Sequence, residues 1–133
     1  MHTGSCLCDA VSFEITGPLR DVLGCHCQQC RKQSGHYWAA TSVADDALRF
    51  IRQEGLTWYN ASATARRGFC KFCGSTLFWK PVGADRTAVG AGSLDTPTGL
   101  RLTRHVFMAD KGSYYDIADG TPQHAQFSGE EDA

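Results

Sequence analysis

A single mainly-β domain is what these 133 residues predict, and three observations carry the prediction. Short β-branched or aromatic runs recur between Gly, Asp and Pro punctuation. Only one segment reads as a helix. Seven cysteines in three clusters can tie distant loops together. The length fits one domain with a modest core, placed at residues 1–122, with 123–133 as a disordered C-terminal tail that carries one large apolar residue, Phe127.

The strands follow in order. Val11-Ser12-Phe13-Glu14-Ile15 alternates apolar and polar residues and is closed by Gly17-Pro18, as a half-buried strand ending in a turn would be. Trp38 to Val43, Leu48 to Ile51, Thr57 to Tyr59, Thr76 to Trp79 and Leu102 to Phe107 are the further short strands. The helix is Gln28 to Ser34, stopped by Gly35 as a C-terminal capping glycine stops a helix. Cys30 falls in its first turn, where unpaired N–H groups favour a thiolate.

The cysteines divide four plus three. Cys6-Leu7-Cys8 and Cys70-Lys71-Phe72-Cys73 are short pairs that can meet to form a closed tetrahedral thiolate shell. Cys25-His26-Cys27-Gln28-Gln29-Cys30 supplies three ligands and leaves a fourth position open. An odd count, and a start without a basic stretch leading into an apolar one, argue against a secreted disulfide framework and for a cytoplasmic protein. A thioredoxin-like reading needs a long helix after C-x-x-C, whereas Gly74-Ser75-Thr76-Leu77-Phe78-Trp79 reads as turn and strand. A formal charge of −1 gives no basic field for nucleic acid, and no run of about 20 apolar residues offers a membrane span.

Gly4-Ser5-Cys6-Leu7-Cys8, then Cys25 through Gly35, then Gly68-Phe69-Cys70-Lys71-Phe72-Cys73-Gly74 resemble, in order, the glutathione-dependent formaldehyde-activating enzyme family, which is grouped with centromere protein V. Gly92-Ser93-Leu94-Asp95, His105-Val106-Phe107, Lys111 and Asp119-Gly120-Thr121-Pro122 extend the likeness to about Pro122. The resemblance implies an all-β, zinc-centred fold of the Mss4-like or β-tent kind. Cys6, Cys8, Cys70 and Cys73 would hold a structural zinc, and Cys25, Cys27 and Cys30 a second near the surface, with water or a substrate thiolate as its exchangeable ligand. Three departures stand out: Asp9 where glycine is common, Gln29 where an acidic residue is frequent, and Ser113-Tyr114 where tryptophan is common.

A metal with three thiolates is a weak Lewis acid that binds a further thiolate well, which favours sulfur chemistry. The lead reading is a carbon–sulfur lyase or synthase acting on a thiol adduct of formaldehyde or a related electrophile, with glutathione as the small-thiol partner. The competing readings are a scaffold with two structural zincs and a redox module using the triplet. His26 is a candidate proton carrier between two ligands. Arg31 and Lys32 are candidate receivers of the thiol's carboxylate, and Arg66-Arg67 is a second basic pair. His36 reads as an exposed loop residue, His105 as a core histidine, and Trp38, Trp58, Phe78 and Trp79 as strand core.

Overall fold

The structure, a computed structural model, describes residues 1–129. Among these described residues ten strands form two sheets beside one α-helix, so the mainly-β class read from the sequence is the one observed. β1 (His2–Ser5), β2 (Ser12–Ile15) and β5 (Leu48–Arg52) make an antiparallel three-stranded sheet in the order β1-β2-β5. The larger sheet contains β3 (Val22–Cys25), β4 (Trp38–Ala44), β6 (Leu56–Asn60), β7 (Ala65–Cys70), β8 (Thr76–Pro81), β9 (Arg86–Gly90) and β10 (Leu102–Val106). Its order is β10-β3-β4-β9-β8-β7-β6, with β10 parallel to β3 and the other pairs antiparallel.

The core lies where the two sheets face each other, and Phe78 is its hub. Phe13 of β2 and Phe50 of β5 meet the Phe78 ring edge-on at centroid distances of 5.3 and 5.5 Å, while Trp58 of β6 stacks on it at 6.0 Å. Alternation of buried and half-buried residues in Ser12-Phe13-Glu14-Ile15 delivers Phe13 and Ile15 to this core. Each such side chain contributes roughly 1.5–3 kcal/mol on burial. Gly68 of β7 is required here, because a Cβ would lie 3.0 Å from Trp58 and 3.1 Å from Phe78.

The single α-helix, α1 (Gln28–Ser34), has the bounds read from the sequence. Gly35 ends it in the left-handed region (φ 89°), its N–H donating to the Arg31 carbonyl at 2.8 Å. Asp9 does adopt positive φ (71°) in the turn after Cys8, as an aspartate in place of glycine can.

Residues 123–129 correct the expectation of a tail frayed from position 123. Gln123 bridges to His105 in parallel, the His124 N–H donates to the His105 carbonyl, and Phe127 packs edge-on against Phe107 at 4.8 Å. The physical reason is that β10 is an edge strand whose outer side offers unpaired backbone groups, and these recruit the segment despite its polar composition. Residues 130–133 of the expected tail lie outside the described residues.

Candidate functional site

Two knuckle-like turns bring the outer cysteine pairs together. Cys6 and Cys8 lie just beyond β1, where the Val11 N–H donates to Cys6 Sγ at 3.3 Å. Cys70 ends β7 and Cys73 follows in the tight turn into β8, which Gly74 makes possible at φ 80°. Ser75 joins the turns: its hydroxyl accepts from the Leu7 N–H at 3.0 Å and lies 3.2 Å from Cys73 Sγ. That hydroxyl holds the Cys73 thiol down to about 5. The four sulfurs lie within 4.8 Å of one another, with Cys6–Cys8 and Cys8–Cys70 each 3.7 Å apart. A tetrahedron with zinc–sulfur bonds of about 2.3 Å has edges of about 3.8 Å, so these residues fit a zinc ion.

The triplet is built differently. β3 delivers Cys25, the chain turns, and Cys27 caps α1 by accepting the Cys30 N–H on its sulfur at 3.4 Å. Cys30, in the first turn, is buried. The three sulfurs also fall within 4.8 Å of one another. Hydrogen bonds shared with Cys27 and Cys30, together with burial, push the Cys25 thiol up, and the reciprocal bonds from Cys25 and Cys30 hold Cys27 down to about 2. Three sulfurs gathered in this way form a donor set that suits a soft divalent metal. All seven cysteines are free.

The triplet opens on a cavity of about 390 Å³. Trp38, Trp79, Phe107 and Phe127 form much of its apolar wall, so the two tryptophans read as strand core are also cavity lining. The cavity's buried cation is Arg67, which is 3% exposed. Its Nε donates to Gln29 Oε1 at 3.3 Å, its Nη2 lies 3.4 Å from Cys30 Sγ, and its guanidinium stands 5.8 Å from the Trp38 ring centroid. Arg31 and Lys32, expected to receive substrate carboxylate, do not line this cavity. Following Cys30 directly on a helix, they are rotated away from its face, and the Arg31 Nε donates instead to the Asp110 carbonyl at 3.0 Å. The sequence singled out Arg67 only as half of a basic pair. The signal that separates it from Arg66 is strand alternation, since Ala65 and Arg67 point inward and Arg66 outward.

His26 projects to the opposite side of the Cys25–Cys27 turn from the cavity and is fully buried. Its Nδ1 is 2.5 Å from the Tyr115 hydroxyl and its Nε2 is 2.8 Å from His105 Nδ1, while His105 Nε2 is 2.8 Å from Asp119 Oδ2. The carboxylate can only accept, so His105 Nε2–H donates to Asp119; with a neutral His105 ring, its Nδ1 then accepts from His26 Nε2–H and the Tyr115 hydroxyl donates to His26 Nδ1. The His105 bond holds Asp119 well below the usual carboxylate range, and burial pushes His26 down to about 4, so both charges agree with this chain. Gly24 makes room for it, since a Cβ there would lie 2.8 Å from His105 Nδ1. His26 thus braces the Cys25–Cys27 turn from behind and has no free nitrogen for proton transport in the cavity. His36 is exposed, as expected, and its Nδ1 is 2.5 Å from the Tyr114 hydroxyl.

No helix among the described residues is long and apolar enough to cross a membrane. The chain is similar to a Schizosaccharomyces pombe protein named as an uncharacterized lyase, 27% identical over 121 residues that cover 90% of this chain and 88% of the relative. A crystal structure of a Rhodobacter sphaeroides protein shares the fold with a TM-score of 0.61 at 26% identity, spanning 76% of this chain and 99% of that one. The family model for glutathione-dependent formaldehyde-activating enzyme matches residues 1–110, a span that holds both cysteine clusters and Arg67. With that match over most of its length, this chain belongs to the glutathione-dependent formaldehyde-activating enzyme family.

Proposed function

We infer that the protein is a zinc-dependent carbon–sulfur lyase, and in reverse a synthase, acting on the adduct of a small thiol with formaldehyde or a related electrophile. Glutathione is the thiol that family membership favours. The observation that carries the reading is the convergence of Cys25, Cys27 and Cys30 on the wall of a cavity, while the four-sulfur cluster lies elsewhere. Cys6, Cys8, Cys70 and Cys73 would hold one zinc for the fold, and the triplet would hold a second. When bound, that second zinc supplies an exchangeable position for a further thiolate. The protein's own groups then do the positioning. Trp38 and Trp79 exclude water, and the volume is within the range of small-molecule clefts, about 300–1,000 Å³. In the lyase direction the adduct's hydroxyl loses its proton to solvent, the carbon–sulfur bond breaks with its pair going to sulfur, and the carbonyl forms.

Thiols add to formaldehyde rapidly without a catalyst, so the test must resolve exchange from net yield. Nuclear magnetic resonance exchange spectroscopy of carbon-13 formaldehyde with glutathione should show an interconversion rate that rises linearly with zinc-loaded protein and returns to the buffer value with Cys27→Ser. A wild-type rate equal to buffer would remove the lyase reading and leave a scaffold with two structural metals.

A further inference from the structure

Arg67 is the one guanidinium in the cavity that is nearly wholly buried, and its hydrogen bonds are incomplete. Nε and Nη2 are engaged by Gln29 and Cys30, but Nη1, also buried, has no hydrogen-bond partner among the described residues. A buried donor left unpaired costs about 1–3 kcal/mol, more for a charged group, so an acceptor brought by a ligand would recover a large penalty. We propose that Arg67 is a catalytic residue whose Nη1 donates to the oxygen of the one-carbon unit, holding it as a developing alkoxide. This rests on the carbon–sulfur lyase reading above.

Reach selects that oxygen. Nη1 shares its carbon with Nη2, which lies 3.4 Å from Cys30 Sγ, so an acceptor about 2.9 Å from Nη1 falls within about 9 Å of that sulfur. An oxygen on the carbon next to the reacting sulfur can occupy that place. The terminal carboxylates of a tripeptide thiol are many bonds further off. In the synthetic direction the thiolate attacks the carbonyl carbon, the carbon–sulfur bond forms, the carbonyl π pair moves to oxygen, and water then supplies the proton that makes the alcohol. Arginine stays protonated throughout, so Arg67 contributes charge and direction and no proton. The apolar wall of Trp38 and Trp79 lowers the local dielectric and strengthens that contribution.

The test has a binding arm and a turnover arm, both on zinc-loaded protein. Formate, a one-carbon oxyanion, is titrated against the fluorescence of Trp38 and Trp79 in wild type, Arg67→Lys and Arg67→Met. Saturable quenching in wild type, at least about tenfold weaker in Arg67→Met and partly retained in Arg67→Lys, is expected for loss of a charge-assisted hydrogen bond. In the exchange assay Arg67→Met should lower kcat by about 100-fold or more, the effect of removing one oxyanion donor, with KM for the glutathione adduct nearly unchanged. Arg67→Lys, which keeps charge and stem, serves if Arg67→Met does not fold. Formate binding that is absent from wild type or equal in all three proteins overturns the assignment, and so does an intact kcat. Arg67-dependent formate binding in a wild type without turnover overturns the lyase reading and the one-carbon role together, and keeps the oxyanion site.

Discussion

The two cysteine clusters use the same atom type at similar spacing, yet the fold treats them in opposite ways. The four-sulfur cluster joins segments 62 residues apart, Cys8 to Cys70, and ties the β1–β2 turn to the β7–β8 turn. The triplet comes from six consecutive residues and joins nothing distant, but it faces a cavity and an arginine. Closing a long loop stabilises by removing entropy from the unfolded chain, whereas gathering three local sulfurs stabilises little and exposes a reactive face. On the proposed reading, what would separate a supporting metal site from a working one is where the ligands come from and what they face, more than how many sulfurs there are.

The strongest way to break this comparison is to remove a ligand from each cluster. Cys70→Ser should abolish the cooperative thermal transition and most soluble yield, because metal binding of about 10–16 kcal/mol rivals a domain's whole stability of about 5–15 kcal/mol. Cys27→Ser should keep the far-ultraviolet circular dichroism of the wild type, lose about one equivalent of zinc, and reduce formaldehyde–thiol exchange to the uncatalysed rate. If Cys70→Ser melts like wild type, or Cys27→Ser unfolds globally, the division of labour is wrong.

A subtler variant acts on the triplet alone. Gly24 lies behind the cavity under His105, and Gly24→Ala would push its methyl group against Nδ1 of His105, the atom that accepts from His26. Overpacking of this kind costs about 1–3 kcal/mol. We expect a lower melting temperature and a clear loss of exchange activity, with zinc at the four-sulfur cluster retained. Unchanged activity would show that the histidine chain does not position the Cys25–Cys27 turn.

The four-sulfur cluster was legible because C-x-C and C-x-x-C carry their geometry in their spacing, and the helix because Gly35 ends it. β4, β5, β6, β8 and β10 were legible from β-branched and aromatic runs. β1, β3, β7 and β9 were not: His2–Ser5 has no apolar residue, Val22–Cys25 is short and runs into a ligand cluster, Ala65–Cys70 hides its alternation behind two arginines, and Arg86–Gly90 ends in small residues. The cavity was invisible for a different reason. Trp38 and Trp79 become neighbours only because β4, β9 and β8 lie side by side, and Phe127 joins them only because an edge strand recruits a polar segment. Strand order and edge pairing are tertiary facts that local pattern does not encode.

The smallest effect should come from the far end of the histidine chain. Asp119 is half-exposed, and its role is to fix which nitrogen of His105 carries the proton, so Asp119→Asn keeps the shape and loosens the direction of the relay. Because the folded protein holds Asp119 below its ordinary value of 3.8, its stabilisation is fully present above that value and is lost as pH falls through and below it. His26 has the complementary behaviour. Its folded value of about 4 lies below the ordinary 6.5, so between those limits the unfolded chain takes up a proton that the native state refuses, and stability falls with acidification. Asp119→Asn should therefore melt a few degrees below wild type at neutral pH, with the gap narrowing once the carboxylate range is entered. The earlier decline that begins near His26's ordinary value should be shared by both proteins. A gap that widens in acid, or a variant whose loss of stability comes with loss of the four-sulfur zinc, would show that Asp119 supports the domain as a whole and not the turn that carries the triplet.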